Sequence, residues 1–434
     1  MQIERILKSM QIDELNEMQK SVVQQHIPKK DFVLYAPTGS GKTLAFCLIL
    51  TKYLQQKINN TQVLIIVPSR ELALQIENVT KKVNQNFKVT CCYGGNSTKT
   101  ERNKLRDAPA IIVGTPGRLL YHFDRNHINS DNLTTVVLDE FDKSLEFGFQ
   151  PQMESIIKYL PNLTTRILTS ATKMEEIPSF SGLNDYVLCD FSSDKQISPN
   201  LKIKKIISPA KYKLRTLFDL LCSNGSKKTL IFCNHRDAVD HISELLEDRD
   251  ITHDLFHGGL EQTDRELAIL KFKNNSNRIL IATDLAARGL DIPEIDSIIH
   301  YQLPYQEDSF IHRNGRTARM QAQGEVYVLL NPEENYPYLP EHVEEIKLDG
   351  EYPLPPKSPY VTLYVTGGKK DKISKTDILG FLLSFESIEK AHIGLIEIKD
   401  QESYVAVDRS MAIAIIKGAN NGKVKGRKVR IGRT

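Results

Sequence analysis

Three carboxylates stand close together in TVVLDEFDKSLEFGF (135–149), where Asp139, Glu140 and Asp142 follow directly on an apolar, β-branched run. Such a group has two readings, a solvated strand end or a metal-holding site, and the stretch alone does not choose between them. A second stretch, APTGSGKT (36–43), bears on the choice. It lies between the strand-like DFVLY and the helix-like LAFCLILTKYL, which is the strand–loop–helix setting of a phosphate loop. Gly39 and Gly41 allow backbone N–H groups to turn towards an anion at a helix start, with Ala36, Pro37, Thr38 and Ser40 completing the loop. Lys42 can then reach the β and γ phosphates of a nucleotide, and Thr43 offers a hydroxyl to Mg²⁺. Beside such a loop the metal reading of the acids gains ground. In that reading Asp139 is expected to hold Mg²⁺ together with Thr43, largely through water, and Glu140 to orient an attacking water.

Phosphoryl transfer also needs positive charge where the transition state becomes negative. HRNGRTAR (312–319) sets Arg316 and Arg319 three apart. On a helix that spacing puts both on one face, as in an arginine-finger pair, and an ordinary surface helix with scattered arginines is the alternative.

The elements that must carry these groups are visible in the alternation of short apolar runs with helical-period segments. VLIIVP (63–68), AIIVGT (110–115), TVVLDE (135–140) and RILTSAT (166–172) form one series. KTLIFCN (228–234), RILIATD (278–284), SIIHYQLP (297–304) and VYVLLN (326–331) form another. Each series predicts a parallel sheet covered by helices on both faces. EYPLPPKSPY (351–360) then interrupts with four prolines, which cannot continue a helix or a central strand. Beyond it the order of VTLYVT, KTDILGFLLSF, HIGLIEI, SYVAV, RSMAIAIIKGA and KVRIG reads as β-α-β-β-α-β, the split arrangement of RNA-recognition folds among many others.

The predicted fold is therefore α/β, with two tandem parallel-sheet domains and a small C-terminal α+β domain. The boundaries read as 1–192 for the first domain, 193–208 for a linker, 209–345 for the second domain, 346–357 for a proline-rich linker and 358–434 for the last. No apolar run reaches the roughly 18 residues of a membrane span. The start MQIERILKSMQIDE has neither the apolar core nor the cleavage site of a signal peptide, so the expected location is cytoplasmic. The six cysteines lack metal-ligand spacing and read as reduced core thiols. The net charge of +3 hides an asymmetry, because from Ser358 onward there are 14 Lys and Arg against 8 Asp and Glu. The last 18 residues hold seven bases and no acid. That end is either a solvated basic surface or one that seeks phosphate.

These pieces together resemble a family. LDEFD, PSRELA (68–73), GG (94–95), TPGR (115–118), SAT (170–172), ARGLD (287–291) and HRNGRTAR stand in the order found in the DEAD-box ATP-dependent RNA helicases, over roughly residues 11 to 335. The resemblance implies two RecA-like domains that bind ATP with Mg²⁺ between them and grip RNA across both. It assigns Gln19 to the adenine edge and Asp291 to the ribose. It assigns Asp142, Ser170, Thr172 and His312 to the link between ATP state and RNA grip. RNA backbone contact would come from Pro68, Arg70, Gly95, Thr115 and Arg118, and from Gln262, Arg265, Thr283 and Asp284. Contacts of that kind carry no sequence information.

Two departures stand out. Phe141 occupies the place of the family's alanine, and its ring is expected on a cleft-facing loop, only partly packed. Before Gln19 the chain has Gln11, Ile12 and Leu15 in place of a Gly-Phe pair and a proline. The tail, in GGKKDKI and IGLIEI, resembles the RNA-binding domain of bacterial helicases of the DbpA type, which act in large ribosomal subunit assembly. Its second strand offers only Tyr404 as an aromatic platform, so recognition would rest on Lys369, Lys370, Lys372 and the basic end. The expected function is an ATP-hydrolysing RNA helicase that opens short duplexes, with structured ribosomal RNA as partner and a monomeric state. The tail is expected to fold and bind independently. An ATP-gated RNA clamp, a DNA translocase and a protein-docking tail are the other readings.

Overall fold

The computed structural model describes residues 2–192, 201–284, 295–315, 317, 324–340, 342–385, 388–419 and 422–434. Its backbone divides into two compact units.

The first unit is built on seven strands, β1 (Asp31–Tyr35), β2 (Val63–Ile66), β3 (Val89–Cys92), β4 (Ile111–Gly114), β5 (Thr135–Leu138), β6 (Thr165–Ser170) and β7 (Tyr186–Asp190). They are all parallel, in the order β3-β4-β2-β5-β6-β1-β7. The continuous apolar runs follow from burial on both faces. Phe32, Leu34, Val63 and Ile65 point into one core, and their neighbours Val33, Tyr35, Leu64 and Ile66 point into the other. This order brings the carboxyl ends of β5, β6 and β1 side by side, where open α/β sheets hold ligands.

The second unit carries a sheet of the same kind and a smaller one. Strands β8 (Leu201–Ile207), β9 (Thr229–Cys233), β10 (Asp254–Phe256), β11 (Ile279–Thr283), β12 (Ser297–His300), β13 (Gly324–Leu330) and β14 (Glu344–Glu345) run parallel in the order β10-β11-β9-β12-β13-β8-β14. Strand β8 falls within the stretch that the sequence suggests is a linker. It belongs to the sheet because every one of its seven residues pairs with β13.

The small sheet consists of β15 (Tyr360–Thr366), β16 (Ile393–Ile398), β17 (Glu402–Asp408) and, after the short hairpin β18 (Lys423–Val424) and β19 (Arg427–Lys428), β20 (Ile431–Arg433). The order β16-β17-β15-β20 is antiparallel. Leu363 and Val365 of β15 and Val405 and Val407 of β17 share a core with Ile378 and Leu382 of the helix Lys375–Leu383 and with Ala412 and Ile415 of the helix Ala412–Gly418.

By alternation, Thr362 points to the opposite, helix-free face, yet it is buried. The cover is the turn that ends the helix Gln262–Lys273. Asn274 donates its amide to the Thr362 hydroxyl at 2.9 Å, and that hydroxyl donates to Ser276 at 2.8 Å. Ser358 bonds the Asn275 carbonyl. Lys399 reaches Glu266 of the same helix at 2.5 Å, and Lys357 reaches Asp250 at 2.6 Å. The small domain is therefore seated on the second sheet domain, a contact that the proline-rich sequence before it does not suggest. The six cysteines are free and buried. Among the described residues no helix is long and apolar enough to cross a membrane.

Candidate functional site

The loop after β1 takes the form its glycines permit. Gly39 and Gly41 have φ of 83° and 89°, in the left-handed region that glycine enters without strain. Gly41 also lies so close to Gln19 that a Cβ there would fall 2.3 Å from the amide nitrogen. Asn16 caps the helix Glu17–Gln25 with a reciprocal pair of bonds to Gln19, whose Nε2 donates to the Gly41 carbonyl at 3.3 Å. Asn16 itself donates to the Ser40 carbonyl at 2.9 Å. Gln19 is thereby braced against the loop that follows β1. Ser40 closes the turn through a 2.7 Å bond to the Pro37 carbonyl. The helix Lys42–Leu50 starts at the end of this loop, with Lys42 and Thr43 in its first turn. The Lys42 ammonium is buried and donates to the carbonyls of Ala36 at 2.6 Å and Pro37 at 3.0 Å.

Across from the loop, Asp139 directly follows β5 and is 3% exposed. Its carboxylate accepts the Thr169 hydroxyl and, at 3.0 Å, the Glu140 N–H. Burial raises the Asp139 carboxyl above the usual range, while the Thr169 bond and the Lys42 charge oppose that rise. A buried acid beside a buried lysine and a loop of turned N–H groups is a donor set suited to a divalent cation on a polyphosphate. Glu140 sits at φ 46°, ψ 50°, an uncommon conformation for a residue with a side chain, and starts the helix Phe141–Glu146. Nothing in the sequence announces that turn.

Asp142, Ser170 and Thr172 are brought together. The Thr172 hydroxyl donates to Asp142 Oδ2 at 3.0 Å, and Ser170 donates to the Thr172 carbonyl at 2.6 Å. The Ala36 N–H closes on the Ser170 carbonyl at 3.1 Å, so this cluster also touches the phosphate-type loop. The Phe141 expectation fails. The ring is 0% exposed, part of the core beneath the sheet, and faces Phe180 at a centroid distance of 6.0 Å. The segment after Ser170 packs against the same core through Met174, Ile177 and Phe180.

A second group in the same unit joins Arg70, Gly95, Thr115 and Arg118. Ser69 follows Pro68 and caps the helix Arg70–Val83. A Cβ at Gly94 would lie 3.2 Å from the Arg70 guanidinium, which places that guanidinium on the glycine pair. Arg118 donates to the Asn96 carbonyl at 3.3 Å and pairs with the buried Glu101, also at 3.3 Å. Thr115 N–H reaches the Cys92 carbonyl at 3.1 Å and starts the helix Pro116–Asp124. Sequence reasoning missed Glu101, which looks like one more acid in the polar run TKTERNKLR.

In the second unit Gln262 and Arg265 stand one turn apart and bond each other through Oε1 and Nη2. Thr283 ends β11, and the carboxylate of Asp284 beside it is taken up by Arg313, at 2.7 Å for the longer contact. His312 is buried in the helix Glu307–Asn314. Arg316, Arg319 and Asp291 lie outside the described residues. In the small domain Lys369 and Lys370 are exposed on a 3-10 turn, with Lys372 just after it. The hairpin of β18 and β19 folds onto that turn, since Lys425 donates to the Lys372 carbonyl at 2.7 Å and Arg427 pairs with Asp371. The two basic stretches of the tail therefore form one surface. Tyr404 stands opposite Tyr364 across β17 and β15, and its hydroxyl donates to Glu402 at 2.7 Å.

Comparison with known proteins matches three segments of the chain. Residues 16–179 match the DEAD/DEAH box helicase family, residues 212–321 the helicase conserved C-terminal domain, and residues 362–433 the DbpA RNA binding domain. The chain is similar to an ATP-dependent RNA helicase DbpA of Bacillus subtilis, 30% identical over 98% of this chain and 96% of that one. It is also similar to an ATP-dependent RNA helicase DbpA of Escherichia coli, 32% identical over 98% and 97%. Among solved structures, S. cerevisiae Dbp5 bound to RNA and ADP BeF3 aligns with a TM-score of 0.72 at 21% identity, over 80% of this chain and 94% of that one. That likeness concerns the fold.

Proposed function

The chain belongs to the DEAD-box ATP-dependent RNA helicases of the DbpA type, and from that premise we propose that it opens short duplexes in ribosomal RNA during assembly of the large ribosomal subunit. The observation that carries the proposal is the DbpA-type domain behind a helicase core, with its basic turn and basic hairpin gathered on one surface. Phosphate contacts from such a surface give grip and orientation.

In this reading ATP lies on the loop 36–43, with Lys42 leaving the carbonyls of Ala36 and Pro37 for the β and γ phosphates. Gln19 faces the adenine. Asp139 and Thr43 would hold Mg²⁺, which supplies charge neutralisation on the phosphates when bound. Glu140 orients the attacking water from the left-handed turn that follows β5. Arg316 and Arg319 complete the charge balance of the transition state, with Asp291 at the ribose. Asp142, Ser170, Thr172 and His312 pass the nucleotide state to the RNA-gripping residues. Those are Pro68, Arg70, Gly95, Thr115 and Arg118 in the first domain and Gln262, Arg265, Thr283 and Asp284 in the second. Lys369, Lys370 and Lys372 anchor structured RNA. The protein works in the cytoplasm as a monomer.

The test compares RNA-stimulated ATP hydrolysis and strand displacement on fragments of large-subunit ribosomal RNA with those on unrelated duplexes of equal length. Stimulation should occur at lower concentrations of the ribosomal fragments, and this preference should fade as salt rises. Equal response to every RNA would leave the helicase and remove the ribosomal target.

A further inference from the structure

Glu101 is 0% exposed and holds three partners with one carboxylate. Oε1 accepts the backbone N–H of Tyr93 at 3.0 Å. Oε2 faces His122 Nε2 at 2.9 Å and the Arg118 guanidinium at 3.3 Å. A carboxylate only accepts, so His122 carries its proton on Nε2 and meets His127 through Nδ1, at 3.0 Å. The partners come from separate pieces of the chain. Tyr93 precedes the glycine pair 94–95, Arg118 and His122 lie on the helix Pro116–Asp124, and Glu101 is on the helix Thr98–Arg106.

Arg118 closes the ring by donating to the Asn96 carbonyl at 3.3 Å. The loop 93–96 is therefore fixed at its entry by Glu101 and at its far side by Arg118, which Glu101 also holds. Nothing else about a helix reading TKTERNKLR requires a buried acid. An unpaired carboxylate in that place would be costly, and this one is held by two hydrogen-bond donors, the Tyr93 N–H and His122 Nε2, with the Arg118 guanidinium as its counter-ion. Cys92 lies close enough to make a Cys–Glu–His group, but Arg118 already stands against Oε2, where a metal cation would have to approach.

We propose that Glu101 is the positioning residue of the RNA groove in the first domain. It sets the loop 93–96 and Arg118 at the spacing that an RNA backbone needs, without touching the RNA itself. The proposal rests on the reading that Arg70, Gly95, Thr115 and Arg118 meet RNA.

The experiment measures, in the full chain, the RNA concentration that half-stimulates ATP hydrolysis, the turnover at saturating RNA and the ATP concentration for half-saturation. Glu101→Ala should raise the half-stimulating RNA concentration about tenfold, the size of one lost charge-assisted contact. Turnover at saturating RNA and the ATP requirement should stay within about twofold. Glu101→Gln keeps an acceptor for the Tyr93 N–H and loses the pairing with Arg118, so it should fall between, at about threefold. Should Glu101→Ala fail to fold, Glu101→Gln decides, and the parent value for it overturns the proposal. Arg70→Ala separates the two layers of the argument. If it weakens RNA stimulation and the Glu101 variants do not, Glu101 only packs. If neither changes RNA stimulation, the assignment of this surface to RNA falls with it.

Discussion

Arg313 grips Asp284 with two nitrogens while donating at 2.7 Å to Asn234 Oδ1 and at 2.6 Å to the carbonyl of Gln302. Its guanidinium also lies 5.0 Å over the ring of Phe232, so one side chain ties the ends of β9, β11 and β12 together. His300 beside it is held well below the usual histidine range, to about 3, by burial first and by the Arg313 charge second. The neutral ring accepts a hydrogen bond from Arg313 at Nδ1 and donates one from Nε2 to Asn314 Oδ1.

A lysine cannot serve four acceptors from one point, so Arg313→Lys should destabilise the chain by about 3 kcal/mol, near the cost of breaking a buried pair. Urea unfolding of the full chain measures it. A loss below about 1 kcal/mol would mean that water or Asn234 satisfies Asp284 unaided.

Phe141→Ala restores the smaller residue of the family, and the burial of the ring gives the expected sign. It should cost about 3–5 kcal/mol, the range for a phenylalanine removed from a core. Denaturant midpoints at constant slope report this, and Phe180→Ala should recover part of the same loss when combined with it. Full additivity of the two would show that the rings do not act as a pair.

Lys42→Ala should abolish ATP hydrolysis while leaving the melting temperature near that of the parent. Glu140→Gln should keep ATP binding and prolong the RNA-bound state. Turnover of Lys42→Ala within a few-fold of the parent would remove the loop 36–43 from the nucleotide site, and fast RNA release by Glu140→Gln would give Glu140 another part.

Burial raises the Asp254 carboxyl from its ordinary 3.8 to about 6, against the opposing effects of Lys271 and Asn277. The folded chain thus holds this proton more tightly than the unfolded one. That contribution is complete below about pH 3.8 and is lost as pH rises through about 6. Asp254→Asn should therefore stabilise the protein at pH 7.5, by about 1–3 kcal/mol, and give no gain at pH 4. Equal gains at both values, read from urea titrations, would trace the effect to hydrogen bonding instead of titration.

The loop 36–43, the two series of strands and the split βαβ order were legible because each is fixed by local chemistry. A phosphate loop needs glycine and lysine at set spacing, and strands buried on both faces need unbroken apolar runs. Strand β8 was not legible, since LKIKKII alternates lysine with isoleucine and resembles a solvated stretch. The burial of Phe141 was not legible either, because the ring it faces, Phe180, returns from more than thirty residues away. Glu101 was hidden for the same reason, because Arg118 and His122 reach it only after β4 has crossed the sheet. The seat of the small domain is made by Asn274, Ser276 and Thr362, polar residues that ordinarily lie in solvent.

That seat has a mechanical meaning. The small domain is bolted to the turn that ends the helix Gln262–Lys273, and Lys399 clasps the same helix at Glu266. Two separate joints, one at the turn and one at Glu266, fix both the position and the tilt of the small sheet against that helix, as two pins hold a plate that one would let spin.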